Sequence, residues 1–258
     1  ATVVNDAGLN FAASTVGGAL SATATTGDIT DSGVLAITGT STFRVAGGQS
    51  VILNESSTFA TVTFTSPGTI ASVEINDSNT LDLGALTVAS NLTVTAGGAV
   101  TNSGTLVVPG TATISASGRD VTLNTATNNF GTIAITGADV SIRDTNAIIL
   151  GASTVSGAYA VIAGGNITDS DTVTVGGNLA ATTNANSGVI DLGTLAVDGT
   201  IALVTHNNGA ATVVNDAGLN FAASTVGGAL SATATTGNII DTGALTITGT
   251  STFVTAAN

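Results

Sequence analysis

Few side chains in this 258-residue chain could make or break a covalent bond. Cysteine is absent and there is one histidine, His206, so a nucleophile–base pair has a single candidate base. His206 sits in Thr205-His206-Asn207-Asn208-Gly209, a composition that reads as a solvent-facing turn. Carboxylates are the other resource, since two acids flanking a glycosidic bond can hydrolyse it. Asp28 with Asp31, and Asp169 with Asp171, are the close pairs. Asn5-Asp6-Ala7-Gly8 and Asp169-Ser170-Asp171 could also supply oxygen ligands to a hard cation such as calcium. Three features weigh against these uses. Asn102 and Asn238 stand where related parts of the chain have Asp31 and Asp28, tryptophan is absent, and no Gly-Gly-x-Gly-x-Asp calcium repeat occurs. Gly17-Gly18 and similar pairs read as turns, with no phosphate-binding loop. Turn aspartates and asparagines commonly satisfy local backbone. The expectation is no catalytic, cofactor-binding or metal-ligating residue, and no enzyme.

Charge narrows the partners. The only cations are Arg44, Arg119 and Arg143, against 16 acids, for a net charge of −13. Nothing here could neutralise a run of phosphates, which excludes nucleic acid and anionic membrane surfaces. Without lysine, Lys–Asn isopeptide crosslinks are impossible. No apolar run is long enough to cross a bilayer; the best is 147–152. Charged residues make up only 7%, so Thr, Ser, Asn and Gly must form the polar surface.

The elements that position these residues are repetitive. Residues 1–43 return as 211–253 with five changes: Asp28, Thr30, Ser32, Val34 and Ala36 become Asn238, Ile240, Thr242, Ala244 and Thr246. Four copies of about seventy residues start near 1, 72, 139 and 211. They align on Asp6, Asp77, Asp144 and Asp216, and again on Asp31, Asn102, Asp169 and Asp241. A finer spacing near twenty links apolar centres at Val94, Ile114, Ile135, Val155 and Val175. Three wide coils or three and a half narrow ones per copy both fit. Self-similarity of this kind marks units that bury their apolar face only by stacking.

Within a coil the period is two. Val73-Glu74-Ile75-Asn76, Leu92-Thr93-Val94-Thr95 and Leu245-Thr246-Ile247-Thr248 alternate apolar and polar residues between Gly and Asn turns, which predicts short half-buried strands. Frequent glycine (33 residues) and abundant threonine disfavour helix. The predicted fold is all-β: a right-handed parallel β-helix, or β-solenoid, with coils of about 20–23 residues running through 1–258. Thr-x-Thr pairs at Thr23–Thr25, Thr61–Thr65, Thr93–Thr95, Thr111–Thr113, Thr172–Thr174 and Thr246–Thr248 read as outward strand faces, with a flat water-ordering face as the alternative.

The strings Val140-Ser141-Ile142-Arg143-Asp144-Thr145-Asn146-Ala147, Leu150-Gly151-Ala152-Ser153-Thr154-Val155-Ser156-Gly157 and Ala163-Gly164-Gly165-Asn166-Ile167-Thr168-Asp169-Ser170 carry a resemblance. Their style resembles the β-strand repeats of filamentous-haemagglutinin-type exoproteins of bacteria, exported by two-partner secretion. The resemblance spans essentially the whole chain and implies the shaft of a secreted adhesin or surface fibre. The expected role is structural, at the bacterial surface or outside it, as a piece of a longer array. Expected partners are other solenoid segments, through self-association or continuation. The alternative is a surface-binding module for carbohydrate, host glycan or ice.

Overall fold

A computed structural model of the protein describes residues 1–256. Among them there are strands and turns and no helix. Two compact units follow one another, residues 1–131 and the residues from Thr132 onward.

In the first unit two parallel sheets run side by side. One contains Thr2–Asn5, Leu20–Ala24, Ser41–Arg44, Thr61–Thr65, Leu81–Leu83, Val100–Asn102 and Val121–Leu123 in that order. The other contains Leu9–Phe11, Ile29–Asp31, Val51–Ser57, Val73–Asp77, Leu92–Ala96 and Leu106–Ser115. The chain alternates between them, so each coil lies on the next and every pairing is parallel. Paired residues lie 19 to 22 positions apart, from Val3 with Ala22 to Val51 with Val73. The second unit is built in the same way. One of its sheets runs Val140–Asp144, Tyr159–Ala163, Leu179–Asn186, Ile201–His206, and the other Ile148–Leu150, Ile167–Asp169, Ile190–Val197, Ala211–Asn215. Each unit is a parallel β-solenoid.

The period-two alternation becomes an inside and an outside. Leu92, Val94 and Ala96 point in, while Thr93 and Thr95 between them do not. All five changes between 1–43 and 211–253 fall at positions that are not buried in the first copy, while Ile29, Leu35 and Ile37, interspersed among them, are buried and unchanged. The buried positions of the segment are thus unchanged between the two copies.

Each coil has a straight side, one strand of about five residues, and a bent side of two short legs. Leu20–Ala24 is straight, whereas Ile29–Asp31 and Leu35–Ile37 are legs of one bent side. The order along a repeat is straight, bent, straight, bent, straight, bent, straight. In the first repeat the straight strands are Thr2–Asn5, Leu20–Ala24, Ser41–Arg44 and Thr61–Thr65. The next repeat opens with another straight strand, Val73–Asp77, on the opposite sheet. Seven half-coils make three and a half coils, which decides between the two divisions left open by the sequence. It also corrects one spacing: Val94 lies on Ile114 and Val155 on Val175, but Val155 has Gly137, not Ile135, on its other side. The straight–straight succession between repeats shifts the register there.

Stacked turns demand glycine where backbones touch. A Cβ on Gly97 would collide with the carbonyl oxygen of Ser78 in the turn above, and Gly98 N–H donates to Asn79 O at 2.9 Å in the same stack. In the core of the first unit Phe43, fully buried, meets Phe59 edge-on at 6.0 Å and stacks on Phe64 at 6.2 Å. Phe43→Ala is expected to cost about 3–5 kcal/mol by denaturant titration. Because stability passes only between neighbouring coils, hydrogen exchange should accelerate most in the paired strands Leu20–Ala24 and Thr61–Thr65; uniform acceleration along the chain would refute that locality.

Candidate functional site

Of the acids singled out by type, Asp28, Asp31 and Asp169 hold backbone of a neighbouring coil, and Asp171 that of its own turn. Asp28 Oδ1 accepts the Ser50 N–H at 2.7 Å. Asp31 Oδ1 accepts N–H groups of Asn54 and Glu55 at 3.0 and 3.4 Å. Asp169, in the same place two repeats on, accepts those of Gly193 and Thr194 at 3.0 and 2.7 Å and the Thr194 hydroxyl at 2.8 Å. Asp171 Oδ1 takes the Thr172 N–H at 2.7 Å. Asp28 and Asp31, and Asp169 and Asp171, thus face separate backbone donors and do not converge on one reacting atom. Burial raises the pKa of Asp31; the N–H groups of Glu55 and Asn54 oppose that, and the Glu55 carboxylate adds to it.

Asn5 Nδ2 donates to Gly8 O at 2.6 Å, and Asp6 O accepts the hydroxyls of Thr25 and Thr26 at 3.0 and 2.6 Å. His206 is exposed, and its carbonyl accepts N–H groups of Ser187 and Gly209 at 3.1 and 2.9 Å in a turn where Asn207 has φ 53°. Among the described residues no three His, Cys, Asp or Glu side chains gather as a metal site.

What sequence reasoning missed lies where one repeat passes to the next. At this point a bent side rests on a straight strand and its second leg loses its partner. In the first unit Val51, Ile52 and Leu53 pair with Val73, Glu74 and Ile75; the register then jumps, so that Ser57 pairs with Asp77. Buried Asp77 turns inward: Oδ2 accepts the Phe59 N–H at 3.0 Å and Oδ1 the Asn79 N–H at 2.7 Å. The second unit repeats this device. Asn215, fully buried, accepts the Val197 N–H at 2.8 Å and donates to Val197 O at 3.0 Å. These side chains cap the last leg of each bent column where an unpaired edge would otherwise be exposed.

The structural equivalent of Asp77 is therefore Asn215, not exposed Asp216, and in the first repeat Asn5, not Asp6. Aligning on the aspartates slipped by one residue. The signal that could have found this was the two-residue alternation of the strand itself, which places Asn215 on the Val213 side.

Beside the first of these junctions runs an open groove of about 940 Å³. It crosses the stacked coils at Thr38, Ala60, Asn79, Gly98 and Arg119. Its lining is mostly hydroxyl, amide and backbone groups, with the Arg119 side chain, which donates to Gly97 O at 3.2 Å, at one end.

Four stretches of the chain, residues 1–66, 71–136, 137–203 and 208–258, match the family model "Repeats of unknown function (DUF5649)". The chain belongs to this repeat family. The first gap between matches falls between the straight strands Thr61–Thr65 and Val73–Asp77, and the second opens within Ile201–His206 and closes before Ala211–Asn215. No curated protein matches the chain. No solved structure matches it either.

Burial raises the Asp77 pKa above the ordinary value of 3.8, against the N–H bonds from Asn79 and Phe59. A carboxyl whose folded pKa is raised binds its proton more tightly when folded, so ionising it costs stability above that pKa, and the cost fades on acidification. Asn at this place carries no such term. The melting temperature of Asp77→Asn relative to the parent should therefore fall as pH drops from about 7 toward about 4. A difference that stays constant with pH would show that ionisation at Asp77 does not matter.

Proposed function

We propose that the chain is a structural scaffold: a β-solenoid shaft of a secreted bacterial adhesin or cell-surface filament, without catalysis. The observation that carries the reading is where its polar side chains point. Asp28, Asp31, Asn91, Asp139, Asn166, Asp169 and Asn178 each accept a backbone N–H from the following coil. Groups that in an enzyme would converge on a substrate are spent on stacking. Such a ladder transmits load from coil to coil and tolerates added or lost repeats. The acidic surface, with three cations in the whole chain, suits a fibre that resists nonspecific aggregation.

The groove of the first unit favours a second reading, a surface-binding module for an extended polar ligand such as a glycan. A flat threonine face finds less support. In the first unit Thr61–Thr65 belongs to one sheet and Thr93, Thr95, Thr111 and Thr113 to the other. The odd number of half-coils divides such pairs between two sides.

Antibody raised against the folded protein should label intact, non-permeabilised cells of the source organism. Label seen only after permeabilisation would end the surface-scaffold reading. Glycan-array binding that disappears with Arg119→Ala would move the assignment to the second reading.

A further inference from the structure

The first and third repeats present equivalent surfaces inside one molecule. In the first, the straight strands Leu20–Ala24, Ser41–Arg44 and Thr61–Thr65 stack in register. Their outward rows read Ser21, Thr42, Thr63 and Thr23, Arg44, Thr65. In the third, Tyr159–Ala163, Leu179–Asn186 and Ile201–His206 stack in the same way, with Tyr159, Val161, Leu179, Ala181, Ile201 and Leu203 buried inside. There the outward rows read Ala160, Ala180, Ala202 and Ile162, Thr182, Val204. All six of these are only partly covered. Six polar side chains in one repeat thus give way to one hydroxyl and five apolar groups in the other.

Strand formation does not account for this face. Alanine is depleted in strands, where threonine is favoured, and a contiguous apolar patch in water marks a contact surface. Charge points to the occupant. None of the 16 acids of the chain lies on the two rows. The adjoining strand, Val140–Asp144, adds Ser141 and Arg143 to them, while its Asp144 is buried on the inner side. Two chains of net charge −13 repel one another as wholes. On this face they can meet without bringing carboxylates together.

We propose that this face of the third repeat, centred on Ala180, is a lateral contact with the same face of a second copy of the chain. The inference rests on the scaffold reading and names its partner and the surface it uses. Shape selects the arrangement. Ile162, Thr182 and Val204 are all β-branched and form a ridge along the stacking direction, and Ala160, Ala180 and Ala202 form a trough beside it. A two-fold axis parallel to the stacking direction lays each ridge in the trough of the other copy. A two-fold axis along the strands would set ridge on ridge.

Size makes the contact weak. Four strands about 4.8 Å apart, each with five residues of about 3.3 Å, give a face of about 300 Å² per copy. A stable interface covers roughly 800 Å² per partner. Chains in dilute solution therefore stay apart. In the scaffold reading, shafts held side by side reach an effective concentration on the order of millimolar, and there the contact closes.

Sedimentation equilibrium of the full chain at rising concentration should show reversible dimers by about 1 mM. Ala180→Lys should raise the dimer dissociation constant about tenfold or more, because the contact would bury an unpaired charge. The same substitution brings the chain closer to neutrality, so nonspecific association would move the opposite way. Thr42→Lys makes the identical charge change at the equivalent place of the first repeat and should leave dimerisation unaltered. Ala180→Val adds apolar area but fills the trough, and should weaken the dimer. A parent that stays monomeric at millimolar concentration overturns the contact. So do dimers of Ala180→Lys as tight as the parent's, or dimers of Ala180→Val tighter than it, with each variant folded by circular dichroism. Binding to neutral phosphatidylcholine vesicles in place of dimers would assign the face to lipid and overturn it as well. The scaffold reading fails separately, on surface labelling.

Discussion

Every strand of this chain is completed by another coil of the same kind. A coil of 17 to 23 residues encloses no core of its own, and its backbone donors and acceptors point along the stacking direction. The alternating Val, Leu and Ile side chains and the parallel ladders are thus satisfied by the same act, laying one coil on the next. Each buried Val, Leu or Ile returns roughly 1.5–3 kcal/mol, while each ordered residue costs about 1–2 kcal/mol of backbone entropy. Only shared interfaces tip that balance, and the stacking geometry also takes up polar side chains such as Asp28, Asp31 and Asp169.

The asparagines and aspartates show how far that governance reaches. Read singly, Asp28 with Asp31 or Asp169 with Asp171 resembles a catalytic or cation-binding pair. In the fold, Asp28, Asp31 and Asp169 each receive a backbone N–H from about one coil later. Inside the coil, Asp77 and Asn215 perform one task with and without a carboxyl group. A site that accepts either residue uses the oxygen as a hydrogen-bond acceptor and does not use the charge.

The odd count of half-coils is the second organising fact. Because a repeat begins and ends with a straight strand, successive repeats place equivalent residues on opposite sheets, as Thr2–Asn5 and Val73–Asp77 do. Surface features recur on alternate sides, and each junction brings a bent side onto a straight one. That mismatch accounts for the register jumps after Ile75 and after Leu192. The groove beside the first junction lies at the same step.

Strand positions, the inward residues and the parallel stacked class were legible in the sequence, because a period of two inside a period of twenty admits few alternatives. Val73, Ile75, Leu92 and Val94 are inside as their alternation requires. The destinations of Asp28, Asp31 and Asp169 were not legible beyond a turn, since their partners lie more than twenty residues away and the number of intervening residues varies. The distinction between Asn215 and Asp216 was equally hidden: two adjacent polar residues differ only in which side of a strand they occupy. Local pattern, which repeats exhibit directly, determined that this chain stacks into coils. The tertiary structure alone decided the half-integral turn count and the inward caps, because both depend on how a straight strand meets a bent one across space.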